Sequence, residues 1–112
     1  MGLFKKKEKV PKDTDSVEFK RYMAAKLNGR HLKYVLERQD NCDKVIGKDG
    51  FISVYGEDLS VICGEKTLFR CPVDSLQSCW EFLSLEGVVL SGIDKIEGRE
   101  KTVMAYYTYY RD

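Results

Sequence analysis

After Gly29 the apolar residues of this chain recur at every second position, and glycine-containing turns interrupt them every few residues. That rhythm is the tightest constraint on the fold, because short period-two runs bounded by turn residues form hairpins rather than helices. Leu32, Tyr34 and Leu36 alternate with Lys33, Val35 and Glu37, which predicts a first strand over about 32–38. A polar loop through Asp40-Asn41-Cys42-Asp43 follows, and a short Val45-Ile46 segment then meets an expected turn at Gly47-Lys48-Asp49-Gly50. Strands are expected from Phe51 to Tyr55, Leu59 to Cys63 and Thr67 to Cys71, separated by Gly56-Glu57-Asp58 and Gly64-Glu65-Lys66, where glycine supplies positive φ.

Pro72 has no amide proton, so it ends the last of these strands or lies on an edge, and Asp74-Ser75-Leu76 reads as a bend. Cys79 to Leu83 and Val88 to Ile93 are read as two further strands meeting near Leu85-Glu86-Gly87. A charged loop is expected at 94–101, and Thr102 to Arg111 as a long last strand. Strands without intervening helices exclude a parallel α/β fold. They point to a mainly β, α+β chain of about seven antiparallel strands in a meander, curled into a partial barrel, a curved sheet or a sandwich.

One helix precedes the strands. Phe19, Tyr22, Met23 and Leu27 recur at helical spacing, Asn28-Gly29 supplies a left-handed stop, and Asp15-Ser16-Val17-Glu18 reads as a capping box with Asp15 as N-cap. The helix is therefore predicted over about 16–28 and the strands over about 32–111. At 112 residues the chain is long enough for one core, so residues 14–112 are read as a single domain behind a basic tail at 1–13.

Charge narrows the functions. Lys5, Lys6, Lys7, Lys9 and Lys12 against Glu8 put +4 into residues 1–12, and the formal total of +1 leaves −3 for the rest. A slightly acidic body argues against a surface built to neutralise nucleic-acid phosphates. Leu3 and Phe4 ahead of Lys5, Lys6, Lys7 and Lys9 suit salt-sensitive adsorption to an anionic bilayer, each lysine contributing on the order of 1 kcal/mol near the surface. The Met1-Gly2 start lacks the Ser or Thr at position 6 that myristoylation wants, since Lys6 stands there. No apolar run is long enough for a membrane span, and the N-terminal residues lack a secretory apolar region, so a cytoplasmic location is expected.

The residues that carry chemistry elsewhere form no motif here. Cys42, Cys63, Cys71 and Cys79 contain no C-x2-C pair, and the single His31 completes no zinc set with them. In a reducing compartment they read as thiols. Gly47-Lys48-Asp49-Gly50 lacks the phosphate-loop arrangement, and the acidic residues concentrate in turns. No cofactor, metal or catalytic residue is expected.

The final strand is the most unusual segment. Met104, Tyr106, Thr108 and Tyr110 fall on one face, and Val103, Ala105, Tyr107 and Tyr109 on the other. On one reading one face packs in the core and the other beneath the helix or against its neighbours, with hydroxyls reaching water; on the other, Tyr107 and Tyr109 form a partner or self-association surface, because tyrosine gives large contact area at low entropy cost. Trp80 and Phe82 share a face of their strand, with core packing as the default reading.

The stretch Phe51-Ile52-Ser53-Val54-Tyr55, a tight turn, Leu59-Ser60-Val61-Ile62, another turn and a strand leading into Cys71-Pro72-Val73-Asp74-Ser75-Leu76 resembles the middle of bacterial pleckstrin-homology-like domains. The resemblance covers about half the chain and implies a curved antiparallel sheet used for binding rather than catalysis. That fold closes its barrel with a helix after the last strand, a place the helix at 16–28 would have to fill here. The resemblance transfers no ligand and no site residue. The expectation is a noncatalytic binding or scaffolding module, self-associating through an exposed last strand and its tyrosines. The alternatives are a peripheral membrane protein using its lysine-rich tail, and an enzyme whose site leaves no sequence signal.

Overall fold

The structure, a computed structural model, describes residues 13–108; residues 1–12 and 109–112 lie outside that range. Helix α1 spans Val17–Leu27, one residue short of the expected span at each end. Its N-cap is Ser16 rather than Asp15: the Ser16 hydroxyl accepts from the Phe19 amide at 3.1 Å, while Asp15 sits in a turn held by Asp13. A serine at that position satisfies an orphan helix donor directly, so the capping box is not used. Phe19, Met23, Ala24 and Leu27 are buried along one stripe. Gly29 takes the expected left-handed conformation at φ 85°.

The strands are β1 His31–Gln39, β2 Cys42–Tyr55, β3 Asp58–Cys63, β4 Lys66–Pro72, β5 Ser78–Glu81, β6 Gly87–Asp94 and β7 Arg99–Tyr106. A single 3-10 turn at Val73–Ser75 links β4 to β5. All pairings are antiparallel and make one seven-stranded sheet in the order β4-β3-β2-β1-β7-β6-β5. Two meanders, β1 to β4 and β5 to β7, are thus joined by the β1–β7 ladder, which places β7 in the middle of the sheet. The expectation of a last strand with an open edge is overturned: the edges are β4 and β5.

Two further expectations change. Gly47-Lys48-Asp49-Gly50 is no turn but the middle of β2, which runs unbroken for 14 residues. The chain bends there instead, with Asp49 at φ 56°, between the Leu32–Gly50 and Tyr34–Lys48 pairs. The two glycines are there for close approach: a Cβ on Gly50 would run into the Ile62 carbonyl, and one on Gly47 into the side chains of Leu68 and Cys63. The charged loop expected at 94–101 shrinks to a tight turn, because Asp94 pairs with Arg99 and Ile93 with Glu100.

One sheet face carries the core with α1 on it. Val35, Ile52, Leu59, Val61, Phe69 and Leu90 are buried there with Leu27 and Met23 of the helix. Fully burying a side chain of this size is favourable by about 1.5–3 kcal/mol. The alternation in β7 is as read from sequence, with Val103, Ala105 and Tyr107 in the core and Met104 and Tyr106 paired with Leu36 and Tyr34 on the outer face. None of the described helices is long and apolar enough to cross a membrane.

Candidate interaction site

The two sheet edges are built differently. On the β4 edge, every second residue turns its backbone away from β3, and the β6–β7 corner meets those groups. The Arg70 amide donates to Asp94 Oδ1 at 2.9 Å, the Lys95 amide donates to the Arg70 carbonyl at 2.8 Å, and Lys101 Nζ donates to the Leu68 carbonyl at 2.7 Å. Asp94 is fully buried and also accepts from the amides of Ile96 and Glu97, so its turn cannot be displaced without stranding its oxygens. Lys101 is 5% exposed and lies 3.8 Å from Asp94 Oδ2 and 3.4 Å from Glu97 Oε2. Its charge holds Glu97 below the usual carboxylate range. Sequence reading saw Asp94 and Lys101 only as loop charges, and nothing in their spacing marks them as a seal.

The β5 edge is closed to solvent at Cys79, which is 0% exposed, and opens only at the side chain of Trp80. It is hydrogen-bonded to β6 on one side, and among the described residues no hydrogen bond reaches its backbone from the other. Its tryptophan corrects the expectation of core packing: Trp80 points to the outer face and is 44% exposed, whereas Cys79 beside it is fully buried. The register then carries an apolar row across the outer face, Val45 to Leu36, Leu36 to Met104, Met104 to Val89 and Val89 to Trp80. Both ends of the row are open to solvent, Val45 on β2 and Trp80 on the edge.

Beyond Trp80 the chain turns through Leu83, which is wholly exposed, and Leu85, which is 65% exposed at φ 64°. A bulky side chain in the left-handed region is a strained choice where Gly, Asn or Asp would serve. Phe82 folds back over Gly87 and meets Tyr106 edge-on, with ring centroids 4.9 Å apart. Trp80, Leu83 and Leu85, within six residues of chain at the end of β5, all leave apolar surface exposed.

Tyr107, expected on a partner surface, is instead 8% exposed. Its hydroxyl donates to Glu81 Oε2 at 2.9 Å, its ring lies 3.8 Å under the Arg30 guanidinium, and its amide donates to the Glu86 carbonyl. Burial, then the bond to Glu81, pushes its phenol well above the usual range. Burial also raises Glu81, but the hydrogen bonds from Lys26 and Tyr107 outweigh it and leave the carboxyl below its ordinary value. This cluster ties α1, β5 and the end of β7 together and turns the Glu81 charge inward. Tyr109 and the proposed lipid contacts Leu3, Phe4, Lys5, Lys6, Lys7 and Lys9 lie outside the described residues.

A cleft of about 460 Å³ opens between α1, the β2–β3 turn and the 3-10 turn. Its floor is Ala24, Ala25, Val54, Pro72 and Val73, and its charged groups are Arg21, Asp74 and Glu57. Arg21 grips Asp74 through two hydrogen bonds of 2.9 and 2.6 Å, so these two charges satisfy each other. The four cysteines are free thiols: Cys42 is exposed, Cys71 and Cys79 are buried, and burial lifts the Cys79 thiol to about 12. His31 is exposed at the start of β1. Among the described residues no three His, Cys, Asp or Glu side chains are grouped to hold a metal. No family model, curated protein or solved structure matches the chain.

Proposed function

We propose that this chain is a noncatalytic binding module that takes a protein partner on the outer sheet face at its β5 end, with Trp80 as the anchor. The observation that carries this reading is the apolar row that ends there: Val45, Leu36, Met104, Val89 and Trp80 are aligned across the sheet, and Trp80 is 44% exposed. A half-exposed tryptophan at the end of an apolar row is the kind of anchor that protein interfaces use.

A curved antiparallel sheet employed for binding is also what the pleckstrin-homology-like resemblance implies, and free thiols suit a reducing cytoplasm. The test is site-specific photo-cross-linking with benzoylphenylalanine in cells that express the full chain. Position 78, beside the edge, should give adducts that disappear when Trp80→Asp is added, and position 65, in the exposed β3–β4 turn, should not. Equal adducts from both positions would overturn the reading.

A further inference from the structure

We infer that the cleft between α1, the β2–β3 turn and the 3-10 turn seats this chain's own N-terminal segment, with Leu3 and Phe4 on its apolar floor and Lys5, Lys6 and Lys7 against its acidic rim. The inference goes beyond the binding reading above, because the cleft lies on the helix side of the sheet and Trp80 on the other.

The cleft sets two requirements on an occupant. Its volume of about 460 Å³ falls within the range of ligand pockets, about 300–1,000 Å³. Its floor is built small, with the methyl groups of Ala24 and Ala25 on α1 and with Val54, Pro72 and Val73 completing it. Burying an apolar side chain there removes apolar surface from water on both partners. The rim selects the charge. Asp74 accepts from Arg21 at 2.9 and 2.6 Å, which cancels one charge of each sign. Among the described residues no hydrogen bond or ion pair engages the Glu57 carboxylate, so the lining keeps one net negative charge. Glu18, one turn before Arg21 on α1, adds a second beside it. The Arg21–Asp74 pair is itself exposed and therefore weakly held, so an entering ammonium can share Asp74.

The N-terminal segment meets both requirements in one stretch. Leu3-Phe4-Lys5-Lys6-Lys7 is apolar and then cationic. Residues 1–12 carry +4 against −3 for the rest of the chain, so the body attracts the segment. Length allows the contact. Phe4 stands nine residues ahead of Asp13, enough to span about 30 Å when extended, while Val17 to Ala25 covers about 12 Å along α1. The segment can turn back along the helix and set Phe4 at Ala25 with length to spare. A short tether also holds it near the cleft at an effective concentration in the millimolar range, which favours this occupant over a free peptide of the same chemistry.

The test is photo-cross-linking of the purified full chain with benzoylphenylalanine at position 4. The expected adduct is intramolecular and maps by mass spectrometry to Ala25, Val54 or Pro72. It should fall several-fold between about 0.15 and 1 M salt, where the screening length drops from about 8 to 3 Å. Ala25→Trp, which fills the floor, and Glu57→Lys, which reverses the rim, should each abolish it. Both residues are exposed, so an unchanged circular dichroism spectrum should show that both variants still fold.

Adducts spread over the surface or joining two chains overturn the inference, as does a cleft adduct that survives both variants. Lipid adducts on vesicles of phosphatidylserine and phosphatidylcholine, with none in the cleft when vesicles are absent, overturn it in favour of a bilayer contact. Capture at position 78 reports on the binding reading separately, and that reading stands or falls without this one.

Discussion

The Arg70 amide donates to the Asp94 carboxylate across the gap between β4 and the β6–β7 corner, and both flanking contacts, Lys95 to the Arg70 carbonyl and Lys101 to the Leu68 carbonyl, depend on that corner keeping its shape. Asp94→Ala should therefore destabilise the fold by about 3–5 kcal/mol, because it leaves the buried Lys101 ammonium without its nearest buried carboxylate and strands the amides of Arg70, Ile96 and Glu97. Adding Lys101→Met to Asp94→Asn should cost less than the two single changes together, since the second removes the charge the first orphans. Urea denaturation of the four proteins reads this coupling. Strict additivity would mean that the corner is held by something other than the pair.

The Glu81–Tyr107 bond predicts the pH dependence at both ends. Glu81 titrates below its ordinary value when folded, so its contribution is present above the unfolded value of about 4.3 and is lost as pH falls through the folded one. Glu81→Gln should flatten the acid limb of the stability profile. Tyr107 and Cys79 are both raised, so their contributions are present below their unfolded values of about 10 and 8.5 and fade as pH rises toward the folded ones. Stability should accordingly begin to fall near pH 9. Cys79→Ala should delay that onset, and Tyr107→Phe should flatten the steeper part above pH 10 while costing about 1 kcal/mol at neutral pH. Denaturant midpoints from pH 3 to 11 test all three, and an unshifted alkaline limb in Cys79→Ala would contradict the cause given for it.

Much of the fold was legible because period and turn chemistry are local. The α1 stripe, the glycine-bounded hairpins and the two faces of β7 all follow from spacing along the chain. What escaped was set by partners distant in sequence. Gly47 and Gly50 carry the residue types of a turn, and only the approach of Ile62, Cys63 and Leu68 explains why the strand needs glycine there without turning. The place of β7 between β1 and β6 is a pairing choice that no local pattern encodes. The same holds for the site. An aromatic on a strand reads as core, yet Trp80 is exposed because β5 ends the sheet; of the two readings open for Tyr107, packing holds, because Arg30 and Glu81 close over it.

Gly50 tests the account of the bent strand. Gly50→Ala should destabilise by about 1–3 kcal/mol, the usual range for forced overpacking, because the new methyl meets the Ile62 backbone rather than a yielding side chain. Gly50 is not among the positive-φ residues, so the penalty would come from space and not from backbone conformation. Pairing the measurement with Asp49→Gly separates the two sources. That change relieves a left-handed residue and should be neutral or mildly stabilising. A harmless Gly50→Ala would show that β3 yields at Ile62.

Leu85 offers the sharpest contrast between stability and use. Its backbone sits at φ 64° in a turn closed by its own amide on the Phe82 carbonyl, and its side chain is 65% exposed, so it carries the strain of a left-handed leucine with little burial in return. Asparagine tolerates that conformation, and Leu85→Asn should raise stability by up to about 1 kcal/mol, or roughly 4–8 °C in Tm for a domain of this size. Under the binding reading proposed above, the same variant should weaken partner capture at position 78, because it removes exposed apolar surface from the turn that follows Trp80. A fold made more stable together with partner capture made weaker is the signature of a residue kept for contact at the expense of folding. Thermal melts and cross-linking at position 78 on the one variant separate the effects. If Leu85→Asn raises Tm and leaves the cross-linking untouched, the leucine lies outside the contact.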